Sequence, residues 1–387
     1  MIVAGFKLKS WASIIDQATL EQAQRTAVLP FVAPYVALMP DAHLGKGATV
    51  GSVIPTVGAI LPGAIGVDIG CGMNAVRTQF RRTDLVDRGR PLSRLREAIE
   101  AAIPLSAGHY NERVSRAAEP RVNQLEQEAP RAYTATAGGR DWRLQLGSLG
   151  SGNHFIEVSV DEADRVWLFL HSGSRGIGNR IAQEHVRQAQ RETGAEAGHP
   201  DLAYLTEGTD SFEAYIADLG WAQHFALLNR EEMMDRVIEC LERFTDSPVE
   251  RVEEVSCHHS FTQVEVHLGQ AVWLSRKGAI AAERGHLGLI PGSMGTASYV
   301  VEGLGNPDAF RSAPHGAGRA CSRGEAKRRF TLEGLRQAMG GIEFRASGGF
   351  LDEHPLAYKD VEQVMEDARD LVRIRHTLRQ LVNVKGE

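Results

Sequence analysis

Apolar residues recur with helical spacing in three parts of the chain. Between Leu92 and Ile103 they follow one another every three or four residues, which predicts an amphipathic helix. Residues 212–243 repeat this pattern over a longer stretch, in which Gly220 is expected to bend or divide the helix. Residues 361–372 predict one more helix near the C-terminus, with Asp360 as its N-cap.

Six other stretches combine a short β-prone run with a glycine-punctuated loop that carries histidine or aspartate. They are MPDAHLGKGATVGSV, LPGAIGVDIGCGMNAVRT, LGSLGSGNHFIEV, LFLHSGSRGIGNRIA, LIPGSMGTASYVVEGLG and SAPHGAGRACSR. Each is typical of a strand that ends in a tight turn, where glycine lets the backbone approach another group closely. Because the helices and strands do not alternate regularly, the pattern predicts an α+β fold rather than a doubly wound sheet. No linker interrupts residues 43–315, so one compact domain over residues 1–387 is expected.

Composition and charge narrow the class of protein. The chain is 43% hydrophobic and 24% charged, as a soluble globular protein is, and its net charge is −6. Any RNA binding must therefore depend on local basic clusters rather than on a global basic field. A run of about twenty apolar residues, as a membrane span requires, is absent, and so is an obvious signal peptide. Four cysteines without disulfide spacing fit a cytoplasmic location without a membrane partner.

Five residues are candidate metal ligands. Asp68 and Cys71 stand three residues apart among glycines, while His154, His171 and His259 each follow or lie in a β-prone run. A carboxylate, a thiolate and three imidazoles suffice for one or two metal ions, and a thiolate can bridge two cations. Ligand softness alone would favour zinc over manganese. The alternative is a small buried cysteine among histidines that only form tertiary hydrogen bonds.

A sixth residue, His315, lies in a different setting. It belongs to PHGAGR, and basic residues follow it closely, among them Arg319 and Arg323. A histidine beside backbone amides and arginines can meet a phosphate, as nucleophile or as donor; the alternative is a glycine-rich turn with a structural histidine. Arg175, also inside a glycine loop, is a further phosphate candidate because its fork suits phosphate oxygens. The loops match neither a P-loop nor a dinucleotide-binding fingerprint, which argues against an NAD enzyme.

Taken together and in order, these segments resemble the RtcB family of 3′-phosphate RNA ligases in its bacterial form. The resemblance extends from MPDAHLGKG at residue 39 to LRQLVNVKG at the C-terminus. Between them it includes GVDIGCGMNAVRT, GSGNHFIEV, LHSGSRGIGNRIA, CHHSF, SRKGAI, IPGSMG, PHGAGRACSR and AYKD. It implies the family's own α+β architecture, in which β-sheets enclose a dinuclear metal site and helices pack outside.

The resemblance also implies a role for individual residues. Two manganese ions would be bound, with Cys71 as the bridge, by Asp68, Cys71, His154, His171 and His259. The family's His-Asn pair reads His259-Ser260 here, so His259 is preferred to His258. His315 would be the guanylylated residue. The guanosine site would be lined by Asn153, Phe155, Glu157, Ser293, Gly316, Ala317, Gly318, Tyr358 and Lys385. Further positions near phosphates, RNA or metal would be Asp41, Arg175, Lys277, Arg319 and Arg323.

The activity implied is that of an RNA ligase dependent on GTP and Mn²⁺, in RNA repair or tRNA splicing. It would join RNA 3′-phosphate or 2′,3′-cyclic phosphate ends to 5′-hydroxyl ends through a histidine–GMP adduct and an RNA–ppG intermediate. An archease-type activator is a further candidate partner beside RNA and GTP. Two alternatives stay open: a metal-dependent cyclic phosphodiesterase or phosphatase without ligation, and a non-catalytic, metal-stabilised RNA-binding protein. The PHGAGR loop favours the ligase, because a hydrolase does not need it.

Overall fold

The computed structural model describes residues 7–87, 89–129 and 141–387. Its strands are β1 (Leu8–Ser10), β2 (Val36–His43), β3 (Val50–Thr56), β4 (Ala59–Ile60), β5 (Gly72–Arg81), β6 (Phe155–Val160), β7 (Arg165–Ser172), β8 (Leu205–Thr206), β9 (Glu253–His258), β10 (Ser260–His267), β11 (Gln270–Lys277), β12 (Ala279–Ala281), β13 (Leu287–Ile290), β14 (Ser298–Gly303), β15 (Ser312–Pro314), β16 (Glu343–Phe344) and β17 (Val372–Val384). Its α-helices are α1 (Gln17–Ala27), α2 (Pro62–Ile65), α3 (Arg82–Val86), α4 (Leu92–Ala102), α5 (Glu119–Glu128), α6 (Arg175–Thr193), α7 (Asp210–Thr245), α8 (Arg323–Arg329), α9 (Leu332–Ala338) and α10 (Val361–Asp367).

Two large sheets hold most of the strands. The first has five strands in the order β1-β2-β3-β11-β10, and the second has the order β13-β14-β17-β6-β7-β5-β9, with β16 added beside β17. Apart from the parallel pairs β1–β2 and β16–β17, neighbouring strands run antiparallel. Two short ribbons, β12–β15 and β4–β8, complete the β-structure of the described residues.

The second sheet is buried on both faces, as strand β7 illustrates. Trp167 and Phe169 point into the core shared with the first sheet, while Leu168 and Leu170 point into the core shared with α4 and α7. Successive side chains of a strand alternate between its faces, so a strand covered on both sides must be apolar throughout. This explains the unbroken run VWLFL. The architecture is mixed α+β, with helices packed against the sheets, as the sequence predicted.

The helix predictions were confirmed in two places and corrected in two. Helix α4 covers the predicted region, and the Asp360 side chain accepts a hydrogen bond from the Glu362 backbone N–H at the start of α10. Gly220 does not divide α7, which continues through it, because apolar residues on both sides of Gly220 pack against α5 and α6, and the later part of the helix packs against the second sheet. The last predicted helix was too long: α10 ends at Asp367, and Val372 begins β17, which pairs with β6 and β14.

No helix within the described ranges is both long enough and apolar enough to cross a membrane.

Candidate active site

Four strands of the second sheet place their ends at one edge. Gly72, which begins β5, pairs with Ser172 at the end of β7 and with His258 at the end of β9. Phe155, which begins β6, pairs with His171. The antiparallel arrangement therefore collects, at a single edge, the predicted ligands that precede β5 and β6 and those at the ends of β7 and β9.

The side chains at this edge form two groups that share Cys71. Asp68, Cys71 and His154 make one group, and Cys71, His171 and His259 make the other, with their ligand atoms within 4.8 Å of one another in each group. Cys71 Sγ lies 3.4 Å from His154 Nε2 and 3.2 Å from His171 Nε2. The structure thus brings together all five residues that the sequence singled out as metal ligands.

Backbone carbonyls fix the orientation of two of the imidazoles. Nδ1 of His154 lies 2.8 Å from the Leu149 carbonyl oxygen, and Nδ1 of His171 lies 3.1 Å from that of Asn153. Because a carbonyl oxygen can only accept, Nδ1 carries the proton in each neutral ring and Nε2 offers a lone pair to the cluster.

The lone pairs of these rings face other ligand atoms. His154 Nε2 lies 2.9 Å from the Asp68 carboxylate oxygen Oδ2, and His171 Nε2 lies 2.7 Å from His259 Nε2. A carboxylate oxygen can only accept, so it repels the lone pair of His154 Nε2 unless a cation lies between or beside them. The donor set therefore fits bound metal ions better than it fits a network of ordinary hydrogen bonds.

His259 lies in the cluster, whereas its neighbour His258 does not. Nδ1 of His259 lies 3.2 Å from the Ser260 hydroxyl, so this serine can orient the ring. His258 instead lies against the Gly70 carbonyl, at 2.9 Å, and the Arg230 guanidinium, at 3.3 Å. Burial, reinforced by the charge of Arg230, lowers the pKa of His258 to about 3.

Burial also sets the protonation state of the cluster. It lowers the pKa of His171 and of His259 well below the ordinary range of histidine, so both are neutral and able to bind a metal. Burial, followed by the charge of Asp68, raises the pKa of the Cys71 thiol well above its usual value. A bound dication would reverse this effect by favouring the thiolate.

His315 lies beside the cluster, and its ring centroid is 4.7 Å from that of His259. Its Nδ1 is 2.6 Å from Oδ2 of Asp41, a fully buried carboxylate, although the contact is too bent for a well-formed hydrogen bond. The same oxygen accepts a hydrogen bond from the His315 backbone N–H at 3.2 Å. Asp41 therefore engages the Nδ1 side of the ring and leaves Nε2 available for chemistry.

Near His315 lies a wall of buried polar residues on β6 and β17. Glu157 faces Asn383 directly across the sheet, and Lys385 Nζ lies 5.9 Å from the centroid of the Phe155 ring. Burial raises the pKa of Glu157 to about 8, although the charge of Lys385 opposes the shift. This wall offers both hydrogen-bond donors and acceptors to a ligand.

Glu353 is a buried carboxylate that contacts the cationic residues of the site. This carboxylate accepts hydrogen bonds from the Tyr358 hydroxyl at 2.6 Å, from Lys385 Nζ at 3.1 Å and from Arg323. Arg319 lies 3.4 Å from it and stacks over the Tyr358 ring. Burial alone would raise the pKa of Glu353, but the neighbouring charges, Lys385 first, lower it to about 2.

Two predicted phosphate-binding residues lie at different depths. Lys277 Nζ reaches the backbone carbonyls of Lys46 and Gly63, and burial lowers its pKa to about 7. The Arg175 guanidinium lies behind the metal cluster, 3.5 Å from His154 Nδ1, and packs against Gly150. Lys277 therefore faces the site directly, whereas Arg175 reaches it through His154.

A cavity of about 290 Å³ connects these groups. Among the predicted site residues, those that line it are Asp68, Cys71, Asn153, Phe155, Glu157, His171, His259, Lys277, Ser293, His315, Gly316, Ala317, Gly318, Arg319, Arg323, Tyr358 and Lys385. Asp41 and His154 do not line it but contact His315 and Cys71, which do, and Arg175 reaches it only through His154.

Among the lining residues that were not predicted from the sequence are His43, Glu353 and Asn383. The ring of His43 lies nearly parallel to that of His315, with 6.4 Å between centroids. His43 stands in the same glycine loop as Asp41, and its position there could have indicated a site residue. Glu353 and Asn383 carry no local motif, and only tertiary contacts reveal them.

Comparison with known proteins agrees with this arrangement. A family model described as "tRNA-splicing ligase RtcB" matches residues 22–386. The chain is 44% identical over 395 residues to the RNA-splicing ligase RtcB of Escherichia coli strain K12, which covers 96% of this chain and 95% of that protein. It is 30% identical over 443 residues to the tRNA-splicing ligase RtcB of Pyrobaculum aerophilum, which covers 94% of this chain and 89% of that protein. The chain therefore belongs to the RtcB family.

Proposed function

We propose that this chain is an RNA ligase that consumes GTP and joins RNA 3′-phosphate or 2′,3′-cyclic phosphate ends to 5′-hydroxyl ends. Family membership supports the ligase class. One observation supports the finer claim: His315, with Nδ1 held beside Asp41, lines the same cavity as a cluster of candidate metal ligands and a wall of buried hydrogen-bonding groups. A nitrogen nucleophile there would meet a nucleotide phosphate and its counter-ions.

The cluster fits two manganese ions on the chemistry of its donors. Asp68 and His154 would hold one ion, His171 and His259 the other, and Cys71 would bridge them. Bound manganese would offset negative charge on phosphate oxygens during displacement. Zinc would bind such a donor set at least as tightly, so we expect zinc to occupy the site and to inhibit turnover.

In the first step, the lone pair on His315 Nε2 attacks the α-phosphorus of GTP. An N–P bond forms, the bond from this phosphorus to the bridging oxygen breaks, and pyrophosphate leaves with the electron pair. The ring becomes positively charged as the bond forms. Asp41, 2.6 Å from Nδ1, stabilises that charge and holds the ring in one orientation.

The next two steps transfer the activated GMP and seal the RNA. An oxygen of the RNA 3′-phosphate attacks the same phosphorus, the N–P bond breaks, and His315 is restored while RNA–ppG forms. The 5′-hydroxyl of the second strand then attacks the RNA phosphate, loses its proton and expels GMP. A 2′,3′-cyclic phosphate end would first be hydrolysed to the 3′-phosphate at the same site.

The remaining cations would position phosphates. Arg319 and Arg323 line the cavity, although Glu353 partly balances their charges, and Lys277 lines it as well. Arg175 would act through His154, because its guanidinium contacts that ring. Site residues range along the chain from Asp41 to Lys385, which supports one domain over the whole chain.

A sealing assay tests this function. Manganese-loaded protein receives RNA with a 3′-phosphate end and RNA with a 5′-hydroxyl end, with and without GTP. We expect joined product only with GTP, none with His315→Ala, and wild-type yield with His376→Ala, a control histidine on β17 outside the cavity. Hydrolysis of cyclic phosphate ends without joining, independent of GTP, would instead establish the metal-dependent phosphodiesterase.

A further inference from the structure

The carboxamide of Asn383 is a buried polar group that the steps above do not use. Asn383 lies on β17 opposite Glu157, is 2% exposed and lines the cavity. Its oxygen Oδ1 has no hydrogen-bond partner within the described part of the chain. Because an unpaired buried acceptor is costly, such a group in a cavity wall indicates a missing donor from a ligand.

A relay of hydrogen bonds determines which end of the carboxamide is free. Gln380 Nε2 donates to the carbonyl oxygens of Ser293 and Thr296, at 2.9 and 3.1 Å. Since those oxygens can only accept, Gln380 must direct its own oxygen elsewhere, and it accepts from Asn383 Nδ2 at 2.9 Å. The amide of Asn383 is therefore fixed with Oδ1 as the unused atom.

The groups around Oδ1 match one purine better than the others. The base of GTP presents one acceptor, O6, beside two donors, N1–H and the 2-amino group. The wall offers Lys385 as a donor and both Glu157 and Asn383 as acceptors. Adenine reverses the donor and acceptor at the first two positions, and hypoxanthine, the base of ITP, lacks only the 2-amino group.

We propose that Asn383 Oδ1 accepts a hydrogen bond from the 2-amino group of guanine and so makes this chain select GTP over ITP. The inference deepens the proposed use of GTP and rests on it. It assigns Asn383 a specificity-determining role through direct contact with the base.

The protonation of Glu157 makes a second acceptor useful. Burial raises the pKa of Glu157 to about 8, so in the free protein at neutral pH its carboxyl holds a proton. An amide oxygen remains an acceptor at every pH. Asn383 therefore supplies an acceptor that does not depend on the charge of Glu157.

The test compares GTP and ITP on the same variants. Equilibrium binding is measured by titration calorimetry on metal-loaded, full-length protein. Asn383→Leu removes the acceptor at similar size, and Asn383→Ala serves if the leucine variant does not fold. Ser159→Ala is the matched control, because Ser159 Oγ is also buried and unpartnered but does not line the cavity.

We expect the Asn383 variants to bind GTP about three- to tenfold more weakly, as the loss of one hydrogen bond between neutral groups predicts. ITP binding should not change, because its base has no 2-amino group, and Ser159→Ala should change neither nucleotide. Equal weakening of GTP and ITP would mean that Asn383 is only structural, and unchanged GTP binding would also overturn the proposal. Failure of the wild type to bind GTP at all would instead remove the proposed function, on which the inference rests.

Discussion

The contact between Asp41 and His315 makes it possible to disturb the orientation of the nucleophile while the nucleophile itself stays in place. Asp41→Asn keeps the size of the side chain and an oxygen that can still accept from the His315 backbone N–H. It removes the negative charge 2.6 Å from Nδ1, and it introduces an amide that can turn a donor toward the ring. The nucleophile itself is unchanged.

The magnitude follows from the type of contact. The bent contact is expected to straighten into a hydrogen bond once the ring carries charge, and a hydrogen bond to a charged group contributes about 1.5–3 kcal/mol. If this contribution is realised only as the ring becomes positive, its loss slows the chemical step by roughly ten- to hundredfold, at about 1.4 kcal/mol per factor of ten. We therefore expect formation of the His315–GMP adduct to slow by that factor, with little change in the concentration of GTP that half-saturates the rate.

The assay is a single-turnover measurement of adduct formation with excess metal-loaded enzyme. Asp308→Asn is the control, since Asp308 is an exposed carboxylate paired with Lys9 far along the surface. Thermal unfolding checks that each variant is folded. An adduct rate within twofold of wild type in folded Asp41→Asn would refute the proposed role of Asp41, and an equal loss in the control would point to a general charge effect.

Three further outcomes follow from the site. Cys71→Ser should reduce bound manganese from two ions to one or fewer per chain, because a neutral hydroxyl is a poor bridge between two cations. Elemental analysis measures the bound manganese, and two ions retained would exclude Cys71 as the bridging ligand. Without nucleotide, stability should fall as pH rises from about 4.5 to about 8, because over this range the folded protein keeps the Glu157 proton, whose pKa is raised to about 8, while the unfolded chain releases it. Glu157→Gln should remove that part of the slope in denaturant titrations. Gly150→Ala should destabilise the fold by about 1–3 kcal/mol, since a Cβ there would lie 2.1 Å from the Arg175 guanidinium at a φ of +93°. Gly58→Ala, at a φ of +71° with open space around it, controls for backbone strain alone, so an equal loss in both variants would rule out the clash.

Local patterns were enough to predict the elements that bury a regular face. The helix from Leu92 was visible because its periodicity is also its packing surface against the second sheet. The predicted break at Gly220 was wrong because the packing of α7 on both sides outweighs the weak helix propensity of one glycine. The predicted helix over residues 368–372 was wrong because the helical spacing continues by chance into β17, where pairing with β14 decides the structure.

Four of the five candidate metal ligands could be recognised in sequence because glycine loops mark them, whereas His259 lies outside these loops. Their convergence could not be derived locally, since it depends on β5, β6, β7 and β9 ending at one edge of the sheet. Glu353 shows the limit most clearly. It is the last residue of a short 3₁₀-helix, Gly348–Glu353, and its importance arises only when Tyr358, Lys385 and Arg323 surround it.

The central claim is that His315 carries GMP during the reaction. The most direct measurement incubates the metal-loaded protein with manganese and GTP, digests it, and identifies the modified peptide by mass spectrometry. The account predicts a mass increase of one GMP on the peptide that contains His315, through a bond that is labile in acid and stable in alkali, and no such peptide from His315→Ala. GMP on another residue, or no adduct in folded, metal-loaded protein, would contradict it.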